Sequence, residues 1–354
     1  MGFKGPARHG WFVEMQLQAA GVHEVDSPFI DDAASCAAYA TETRATACRE
    51  LLSRFAPSTA GAATLLKFSG VDGRDVYNIS APFMLEGKRL IAGRVEQRDS
   101  ELAELVIFEE TGEQWTPIFT SPMLRSLQDP CITFVGDELI IGGVRFPIEL
   151  PCGGVIWRME FFRGQTLDTL RPFFSGPDRM KDIRLCELPD ARIAVFTRPQ
   201  GVKGGMGKIG FVIADSLDDI TPELIENAHI LPGQFNADEW GGANEAHLLP
   251  DGSIGVLGHI AHWDAVGHRH YFPMAFTLDP ETLYATPIAI IAQRDLFPAT
   301  PAKRADLVDV VFSGGIVRHD NGYATFYAGL SDAAAGMIEI EDPFAAVLAE
   351  SLVA

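Results

Sequence analysis

The sequence predicts an all-β protein, a five-bladed β-propeller with a short N-terminal helical extension. From residue 62 onward, short apolar runs alternate with turn signals, and pairs such as Asp251-Gly252 and Asn321-Gly322 favour two-residue hairpin turns. These units repeat weakly at about 45 to 60 residues, near the size of a propeller blade. Five such units fit the 354-residue chain better than six or seven. Charged or polar residues also interrupt the apolar runs at five places.

The predicted strands are short and rich in aliphatic residues, and Gly, Pro, Asp or Asn separates them. The clearest runs are Leu90–Gly93, Glu104–Phe108, Glu138–Ile141, Ile193–Phe196 and Ile254–Leu257. A β-sandwich has the same texture, but it gives no reason for charges that recur beside the strands. The propeller is therefore the preferred interpretation.

Helical patterns are few. An Ala-rich stretch from Asp31 to Phe55 has apolar residues at mostly helical spacing, and Pro57 to Gly61 closes it as a linker. We therefore predict two regions, with an N-terminal extension and linker at 1–61 and a catalytic propeller at 62–354. Shorter helical patterns run from Asp218 to Ala228 and from Pro343 to Leu352.

Composition excludes several classes of protein. The chain is 47% hydrophobic and 21% charged, with no apolar stretch of membrane-spanning length, which is typical of a soluble globular protein. Its net charge of -20 disfavours nucleic acid and anionic membranes as partners. Five cysteines without a Cys-x-x-Cys pair, and an N-terminus without a secretory signal pattern, predict a cytoplasmic protein with reduced thiols. A homo-oligomer through the N-terminal extension stays possible.

The five polar interruptions are the most informative feature of the sequence. Each places charged or amide side chains next to a strand-like run and a Gly or Pro: Gly93–Glu96, Gln128–Pro130, Met180–Asp182, Ala243–Glu245 and Leu307–Val310. A charge inside a buried strand costs several kcal/mol unless it is paired or solvated. If five blades point these residues toward one polar centre, the cost has a reason, and that centre is the expected active site.

The same segments carry a family resemblance. The motifs are Asp75–Phe83, Gly93–Glu101, Leu127–Pro130, Met180–Leu185, Phe196–Gly201, Glu239–Glu245 and Asp309–Gly315. Together they resemble domain-of-unknown-function family 1861 over residues from about 62 to 345. More distantly they look like glycoside hydrolase family 130, the β-mannoside phosphorylases and mannosidases. Both resemblances imply a five-bladed propeller with the active site in a central funnel.

Asp129 is the leading catalytic candidate. Its Asp-Pro motif resembles the general acid position of the family, and inverting glycoside chemistry needs an acid that protonates the leaving oxygen. In the related phosphorylases, phosphate is the nucleophile and the proton is thought to pass through a sugar hydroxyl. The alternative interpretation is that Asp129 caps a turn before Pro130.

Three cations are candidates for binding an anion or sugar hydroxyls: Arg94, Lys181 and Arg198. An Arg fork suits phosphate, and Lys adds a point charge. Glu96 and Asp182 are assigned to the same substrate site, although they equally well pair with the cations and serve only the structure.

Cys131 is a departure from the related phosphorylases, which usually carry a phosphate-binding Arg directly after the Asp-Pro pair. The substitution argues against phosphorolysis. Arg125 or Arg184 could compensate for it.

The remaining candidates for sugar recognition are Asp75, Asn78 and Asp309, which resemble family positions that hydrogen-bond the sugar where the bond is cleaved. Asn244 and Glu245 lie in the fourth unit. For a hydrolase, Glu245 or Glu239 is the base that activates water. The alternative for Glu245 is pairing with a cation.

His259 follows a strand and is assigned to substrate or phosphate binding, whereas His262, His268 and His270 are expected in a loop at the rim. Their spacing fits no zinc signature, so no metal is predicted. Trp240 and Trp263 are candidates for stacking on sugar rings, although aromatic residues are more often part of the core.

These observations predict a carbohydrate-active enzyme that cleaves or forms a β-mannoside-type glycosidic bond by inversion, as a phosphorylase or a hydrolase, on a small carbohydrate substrate. No cofactor is expected, but inorganic phosphate is a possible co-substrate. The alternative function is a non-catalytic propeller that binds a sugar or a protein, and a funnel with an acid and several cations disfavours it.

Overall fold

The computed structural model describes residues 45–345, and β-strands dominate it. The strands group into five consecutive antiparallel units, here called units 1 to 5. Unit 1 contains β2 Asp75–Tyr77, β3 Phe83–Leu85, β4 Lys88–Glu96, β5 Glu104–Thr111 and β6 Gln114–Phe119. Unit 2 contains β7 Leu127–Val135, β8 Glu138–Glu149, β9 Val155–Gly164 and β10 Arg171–Ser175. Unit 3 contains β11 Arg184–Glu187, β12 Ile193–Thr197, β13 Gly210–Ala214 and β14 His229–Ile230.

The last two units share one hydrogen-bonded sheet. Unit 4 contains β15 Glu239–Leu248, β16 Ile254–Trp263, β17 Arg269–Leu278 and β18 Ala289–Ile290. Unit 5 contains β19 Asp309–Arg318, β20 Tyr323–Leu330, β21 Ala334–Glu341 and, from earlier in the chain, β1 Thr64–Leu65. A short parallel pairing between β17 and β19 joins the two units. The prediction of a chain dominated by β-strands is confirmed.

Middle strands contain long apolar runs because both faces of each unit are covered. The five residues of β12 are all buried, and every predicted run lies inside an observed strand. Five hydrophobic cores result, each with residues from two successive units. Examples are Leu105 with Leu139, Val144 with Leu185, Phe196 with Ile260, Leu257 with Val311, and Ile91 with Tyr327. Each large apolar side chain buried in this way contributes about 1.5–3 kcal/mol.

The units follow one another in space as well as in sequence. β7 lies against β11, β11 against β15 and β15 against β19, while β2 of unit 1 lies against β20 and β21 of unit 5. The first strands of units 2 to 5 are therefore neighbours, β4 of unit 1 lies against β7 of unit 2, and the last unit meets the first. This arrangement brings the polar interruptions of different units together.

Helices are short and peripheral. They are α1 Cys48–Arg54, α2 Gly201–Gly204 and α3 Pro222–Glu226, with 3-10 turns at Pro122–Leu124, Leu167–Thr169, Leu217–Asp219, Arg294–Leu296 and Ala305–Leu307. α1 packs on β16 and β18 of unit 4. The predicted helix from 218 to 228 is a 3-10 turn followed by α3, because Pro222 lacks the N–H that a continuous helix needs.

Two other predictions fall partly outside the described residues. The first part of the helical stretch, 31–44, and most of the C-terminal stretch, 346–352, are not described. The predicted boundary at 61/62 falls in a segment that pairs with unit 5, because Ala60 N–H donates to Glu339 O and Leu66 N–H to Ala335 O. Among residues 45–345, no helix is long and apolar enough to cross a membrane.

Candidate active site

Irregular backbone marks the first strand of each unit. The strand register shifts between Gln128 and Cys131, between Ala243 and Glu245, and between Ser313 and Gly315. In units 1 and 3 the corresponding irregular positions are Asn78, between β2 and β3, and Asp182, just before β11. Such bulges redirect side chains and are common beside active sites.

Three of these positions have left-handed backbone: Asn78 at φ 43°, Asp129 at φ 52° and Asp182 at φ 56°. Asn and Asp adopt this conformation more readily than other residues with a side chain. The chemistry of the side chain and the shape of the backbone therefore select the same residue types. All three side chains are buried.

Asp129 lies at the centre of one cluster. Its Oδ1 accepts hydrogen bonds from Asn78 Nδ2 at 2.8 Å and from Arg94 Nη1 at 3.1 Å. The Arg94 guanidinium also donates to Glu96 at 3.0 Å and to Glu101 at 3.1 Å. The structure thus brings together the predicted acid, one predicted cation and one predicted sugar ligand from units 1 and 2.

The surroundings of Asp129 hold it ionised. Burial by itself raises the pKa of its carboxyl, but Arg94, Lys181 and the hydrogen bond from Asn78 outweigh burial and lower that pKa to about 2. At neutral pH the group is a carboxylate. In this state it is a weak base, and it can donate a proton only after it has taken one up.

Glu96 holds the Arg94 side chain of this cluster in place. Its side chain is fully buried, and it accepts hydrogen bonds from Arg94, from the Tyr77 hydroxyl and from Lys303. Lys303 also forms an ion pair with Glu101 at 3.1 Å. Because both Glu96 oxygens are already engaged, this residue positions Arg94 and is not itself open to a ligand.

Asp332 is a residue of this cluster that the sequence reasoning missed. It lies in the three-residue turn between β20 and β21 at φ 51°. Burial raises the pKa of its carboxyl, as do Asp129 and Glu101, against the opposing charges of Arg94 and Lys303. The sequence did carry a signal for Asp332. It is a charged residue shortly after the apolar run Tyr323–Leu330, much as other candidates flank their strands.

A second cluster joins units 3 and 4. Arg198 Nε donates to the Gly241 carbonyl at 2.8 Å and lies 3.4 Å from Asp182 Oδ2. His259 Nδ1 lies 2.8 Å from Asn244 Oδ1. Four of the predicted substrate-binding residues are thereby buried in one place. The electrostatic effects of Asp129, Asp182 and Arg198 on His259 show that the two clusters are adjacent.

His259 is neutral at physiological pH. Burial lowers the pKa of its imidazole from 6.5 to about 4, and Arg198 and Arg184 lower it further against the opposing effect of Asp182. Since Asn244 Oδ1 accepts a hydrogen bond, Nδ1 carries the proton and Nε2 is left as an acceptor. His259 can therefore receive a hydrogen bond from a hydroxyl group of a ligand.

Several polar groups at the junction of the clusters are open to a ligand. Within residues 45–345, Lys181 forms no ion pair, and only Nε of the Arg198 fork has a protein partner. Asn78 Oδ1 and Asn244 Nδ2 are buried without a hydrogen-bond partner in the described part of the chain. Buried polar groups are normally paired, so these atoms and cations suit a polar, anionic ligand.

Arg184 lies beside Cys131, whereas Arg125 does not. Arg184 and Cys131 line the same pocket, together with Asn244 and Glu245. Arg184 Nε and Nη1 donate to the carbonyls of Asn244 and Ile183 at 2.6 and 2.9 Å. Arg125 is exposed on the outside, 4.0 Å from Glu104. Of the two residues proposed to compensate for Cys131, only Arg184 is in position.

Three predicted site residues lie outside the two clusters. Asp75 pairs with Arg98, and Asp309 Oδ2 accepts from His270 Nδ1 at 2.6 Å at the start of β19. Glu245 Oε2 accepts from the Ile316 N–H at 2.8 Å and lies 2.7 Å from His247 Nε2.

Sequence could not separate these residues from the others, because each stands beside a strand in the same way. The irregular position of unit 5 falls at Ser313–Gly315, whereas Asp309, the predicted polar interruption, is the first residue of β19. Glu239, the other carboxylate considered as a base, is engaged by the N–H groups of Cys48 and Asn236.

No group of metal-ligating side chains able to hold an ion occurs among residues 45–345. His262, His268 and His270 lie at the hairpin between β16 and β17, where His268 and His270 pair with Asp264. Trp240 is buried, and Trp263 beside it is 46% exposed.

The family model of a protein family of unknown function, DUF1861, matches residues 54–346. The chain belongs to the DUF1861 family. The resemblance read from the motifs is therefore confirmed, and the match covers every residue of both clusters. No curated protein matches the chain.

Solved structures extend this DUF1861 assignment. The chain is similar to a mannose phosphorylase from Leishmania mexicana, solved in complex with phosphate ion: 37% identity, 81% of this chain and 90% of that chain, TM-score 0.75. It is also similar to a GDP-Man-dependent mannosyltransferase from the same organism: 34% identity, 84% and 93% coverage, TM-score 0.74. A β-1,2-mannobiose phosphorylase from Listeria innocua is 14% identical, with 85% and 96% coverage and a TM-score of 0.52, and shares the fold. These proteins confirm a relation to glycoside phosphorylases.

Proposed function

We propose that this DUF1861 protein is a carbohydrate-active enzyme that forms or cleaves a β-mannoside-type glycosidic bond by inversion, with inorganic phosphate as a co-substrate. In this proposal units 1 to 5 are the blades of a five-bladed propeller, and the two clusters form its central site. One observation carries the proposal. A buried carboxylate, Asp129, lies within electrostatic range of Lys181, and the adjacent cluster holds Arg198; both cations have open donor groups.

The proposed chemistry follows from these charges. In the synthetic direction, a hydroxyl of an acceptor sugar attacks the anomeric carbon of mannose 1-phosphate, and the bond from that carbon to the phosphate oxygen breaks. The hydroxyl proton passes to the Asp129 carboxylate, directly or through a sugar hydroxyl, and from there to the departing phosphate. Lys181 and Arg198 stabilise that phosphate, because an Arg fork and an ammonium group both favour the developing negative charge. Phosphorolysis is the reverse: phosphate brings the proton, and Asp129 passes it to the leaving oxygen.

The low pKa of Asp129 means that its resting form is the carboxylate that the synthetic direction requires. With a pKa of about 2 this carboxylate is a weak base, so it takes up the hydroxyl proton only as the new glycosidic bond forms and the attacking oxygen becomes acidic. In phosphorolysis the proton is brought by the substrates themselves, since a dihydrogen or monohydrogen phosphate carries one into the site. The enzyme therefore needs no separately protonated acid in its resting state and no resident cofactor.

Hydrolysis is supported less well. It needs a second carboxylate that activates water, and Glu245 and Glu239 both accept hydrogen bonds from backbone N–H groups. A transferase that uses a nucleotide sugar is the better second candidate, because Lys181 and Arg198 would also stabilise a diphosphate leaving group. The similarity to the mannosyltransferase supports this second candidate.

The test is a phosphate-release assay. Purified protein is incubated with mannose 1-phosphate and a panel of mannose-containing and other acceptor sugars, and parallel reactions contain GDP-mannose. We expect phosphate release with at least one acceptor. Asp129→Asn should lower kcat by about 10²–10⁴-fold, the usual contribution of a positioned proton acceptor. Asn accepts the positive φ of position 129, so the backbone should not change.

Asp72→Asn is the matched control, since Asp72 has nearly the same backbone angle, φ 53°, but is exposed. It should retain full activity. Turnover with GDP-mannose alone would replace phosphorolysis by glycosyl transfer, and full activity of Asp129→Asn would remove this residue from the mechanism. Release of free mannose without an acceptor would indicate a hydrolase. The cytoplasmic location and a homo-oligomer remain predictions.

A further inference from the structure

A row of aromatic side chains occupies one face of unit 4. On β16, His259, Ala261 and Trp263 alternate along the strand and so point to the same face. Their cross-strand neighbours on that face include Trp240, which is opposite Ala261 on β15, and Tyr271, which is opposite Ala261 on β17. The small side chain of Ala261 lets the two larger rings approach across it.

Contacts run without a gap along this row. The Tyr271 ring stacks on His259 with centroids 5.3 Å apart. Trp240 Nε1 donates to the Tyr271 hydroxyl at 3.0 Å, and the Trp240 and Trp263 rings lie 4.2 Å apart. The row therefore begins in the second cluster, where His259 meets Asn244, and ends at the surface with Trp263.

Trp263 differs from its neighbours in exposure. Trp240 is 4% exposed, whereas Trp263 is 46% exposed, and Val266 in the same hairpin is 76% exposed. The hairpin is fixed, because Asp264 Oδ1 accepts from the N–H groups of Val266 and His268 at 3.0 and 2.8 Å. A large aromatic ring is thus presented to solvent on a rigid support. Such a surface ring has an apolar face and a polar N–H edge, which suits an amphipathic partner.

We propose that Trp263 is the stacking platform of an acceptor subsite, which binds a sugar ring of a saccharide chain beyond the ring that reacts. This inference rests on the proposed function. One face of a pyranose ring is lined by C–H groups while its hydroxyls project around the rim, so the ring lies flat on an indole and leaves its hydroxyls in water. The substrate class that follows is an oligosaccharide acceptor rather than a single sugar.

Two other occupants are distinguishable from a saccharide. A nucleobase also stacks on an indole, and the chain's own residues 1–44 lead into α1, where Cys48 N–H donates to Glu239 at the same end of β15 as Trp240. The saccharide is preferred because the row starts from uncharged groups of the second cluster, His259 and Asn244, and not from its cations.

The first experiment compares acceptors of different length. Wild type, Trp263→Ala and Trp263→Phe are assayed in the synthetic direction with a single-sugar acceptor and with a tri- or tetrasaccharide. We expect Trp263→Ala to lower kcat/KM for the long acceptor by about tenfold, mainly through KM, which is the upper end of an aromatic contact. Its kcat/KM for the short acceptor should stay within twofold. Trp263→Phe should recover most of the loss, since it keeps an aromatic face.

Tyr284→Ala is the matched control, because Tyr284 is an aromatic residue that is 65% exposed elsewhere on unit 4. It should leave both acceptors unchanged. An equal loss on the short and the long acceptor would mean that Trp263 only supports the central site. No loss on either would mean that no sugar binds there. Both results overturn the proposal.

A binding experiment separates this inference from the proposed function. Full-length protein is titrated with a mannose oligosaccharide and no donor, and tryptophan fluorescence is followed. A saturable change that is lost in Trp263→Phe supports the subsite even if no turnover is ever found. No change overturns it. A response to GDP but not to the oligosaccharide identifies a nucleotide-binding surface and overturns the proposal. Protection of Trp263 from iodide quenching in the free protein shows that the chain itself covers the ring, and this result overturns the proposal too.

Discussion

Asp129 and Asp332 carry the same chemical group in opposite electrostatic settings. Both have positive φ in one cluster, Asp129 buried and Asp332 half-buried, but Arg94, Asn78 and Lys181 favour the charged form of Asp129. Burial and the nearby negative charges favour the neutral form of Asp332. Carboxyl groups whose environments separate their pKa values in this way commonly mark a functional site. The cluster therefore holds one fixed carboxylate and one carboxyl that titrates at higher pH.

The position of Asp332 predicts that replacing its carboxyl raises the stability of the fold and lowers activity. A carboxyl whose pKa is raised in the folded protein stabilises the fold fully below its unfolded pKa, near 3.9. That contribution is lost as the pH rises through the folded pKa. Asp332→Asn removes the charge and keeps a residue that accepts positive φ. The variant should therefore unfold at higher denaturant concentration than wild type at pH 8, with little difference near pH 3.5, and its activity should fall.

Urea unfolding at the two pH values measures this, with Asp72→Asn as a control that should show no pH-dependent difference. If Asp332→Asn were less stable than wild type at pH 8, the charged form would be the favoured one, and the assignment of Asp332 as the destabilised carboxyl would be wrong.

The position of the Arg198 guanidinium depends on a glycine in the loop between β12 and β13. Gly207 in this loop has φ 141°, and a Cβ built there would lie 2.6 Å from Arg198 Nη2 and 2.8 Å from Nε. The flat guanidinium thus lies directly on the loop backbone, which fixes the direction of its open donor groups. The requirement for Gly is both steric and conformational at this one place.

Gly207→Ala should displace the Arg198 guanidinium and weaken phosphate binding. We expect KM for phosphate in phosphorolysis to rise by about tenfold or more, since a charge-assisted contact contributes about 1.5–3 kcal/mol. Gly112→Ala is the control: Gly112 has φ 64°, and a Cβ there meets nothing within 4 Å. It should cost about 1 kcal/mol of stability through backbone strain and leave KM unchanged. An unaltered KM in Gly207→Ala would separate Arg198 from phosphate binding.

At the scale of the whole molecule, the ends of the described chain close unit 5. β1 pairs with β21, so that Thr64 is opposite Met337 and Leu65 is opposite Gly336, and flanking residues from 58 to 66 extend the pairing. The fifth core then includes residues of units 1 and 5. The cluster around Asp129 depends on this closure, because it includes Arg94 of unit 1 and Asp332 of unit 5.

Leu66→Pro tests the closure. Leu66 N–H donates to Ala335 O at 2.9 Å, and Pro removes this donor from an edge strand. Leu66→Ala is the control, since it removes the same apolar contacts but keeps the N–H. Leu66→Pro should be less stable than Leu66→Ala by about 1 kcal/mol or more, measured from denaturant midpoints in a single transition. Equal stability of the two variants would show that the β1 pairing contributes little to the fold.

Sequence alone determined the elements and most of the chemistry. Apolar runs of strand length with Asp-Gly and Asn-Gly turns identified the strands, since these patterns depend on neighbouring residues only. The residues at irregular positions of units 2 to 4, including Asp129, Asp182 and Asn244, were recognised because a charge or amide beside a buried strand is costly and so needs a partner. Asn78 of unit 1 was named through the family resemblance.

Tertiary structure decided which of these residues meet. Whether a polar residue at a strand end faces the centre depends on register and on where a bulge occurs, and both are set by pairing with distant strands. For this reason Asp309 and Glu245, which look like Asn244 in the sequence, pair with His270 and with the backbone of Ile316 instead. Asp332 belongs to the site only because a turn of unit 5 lies against unit 1. Trp263 lies at the end of an aromatic row only because three strands align Tyr271, Trp240 and His259 on one face.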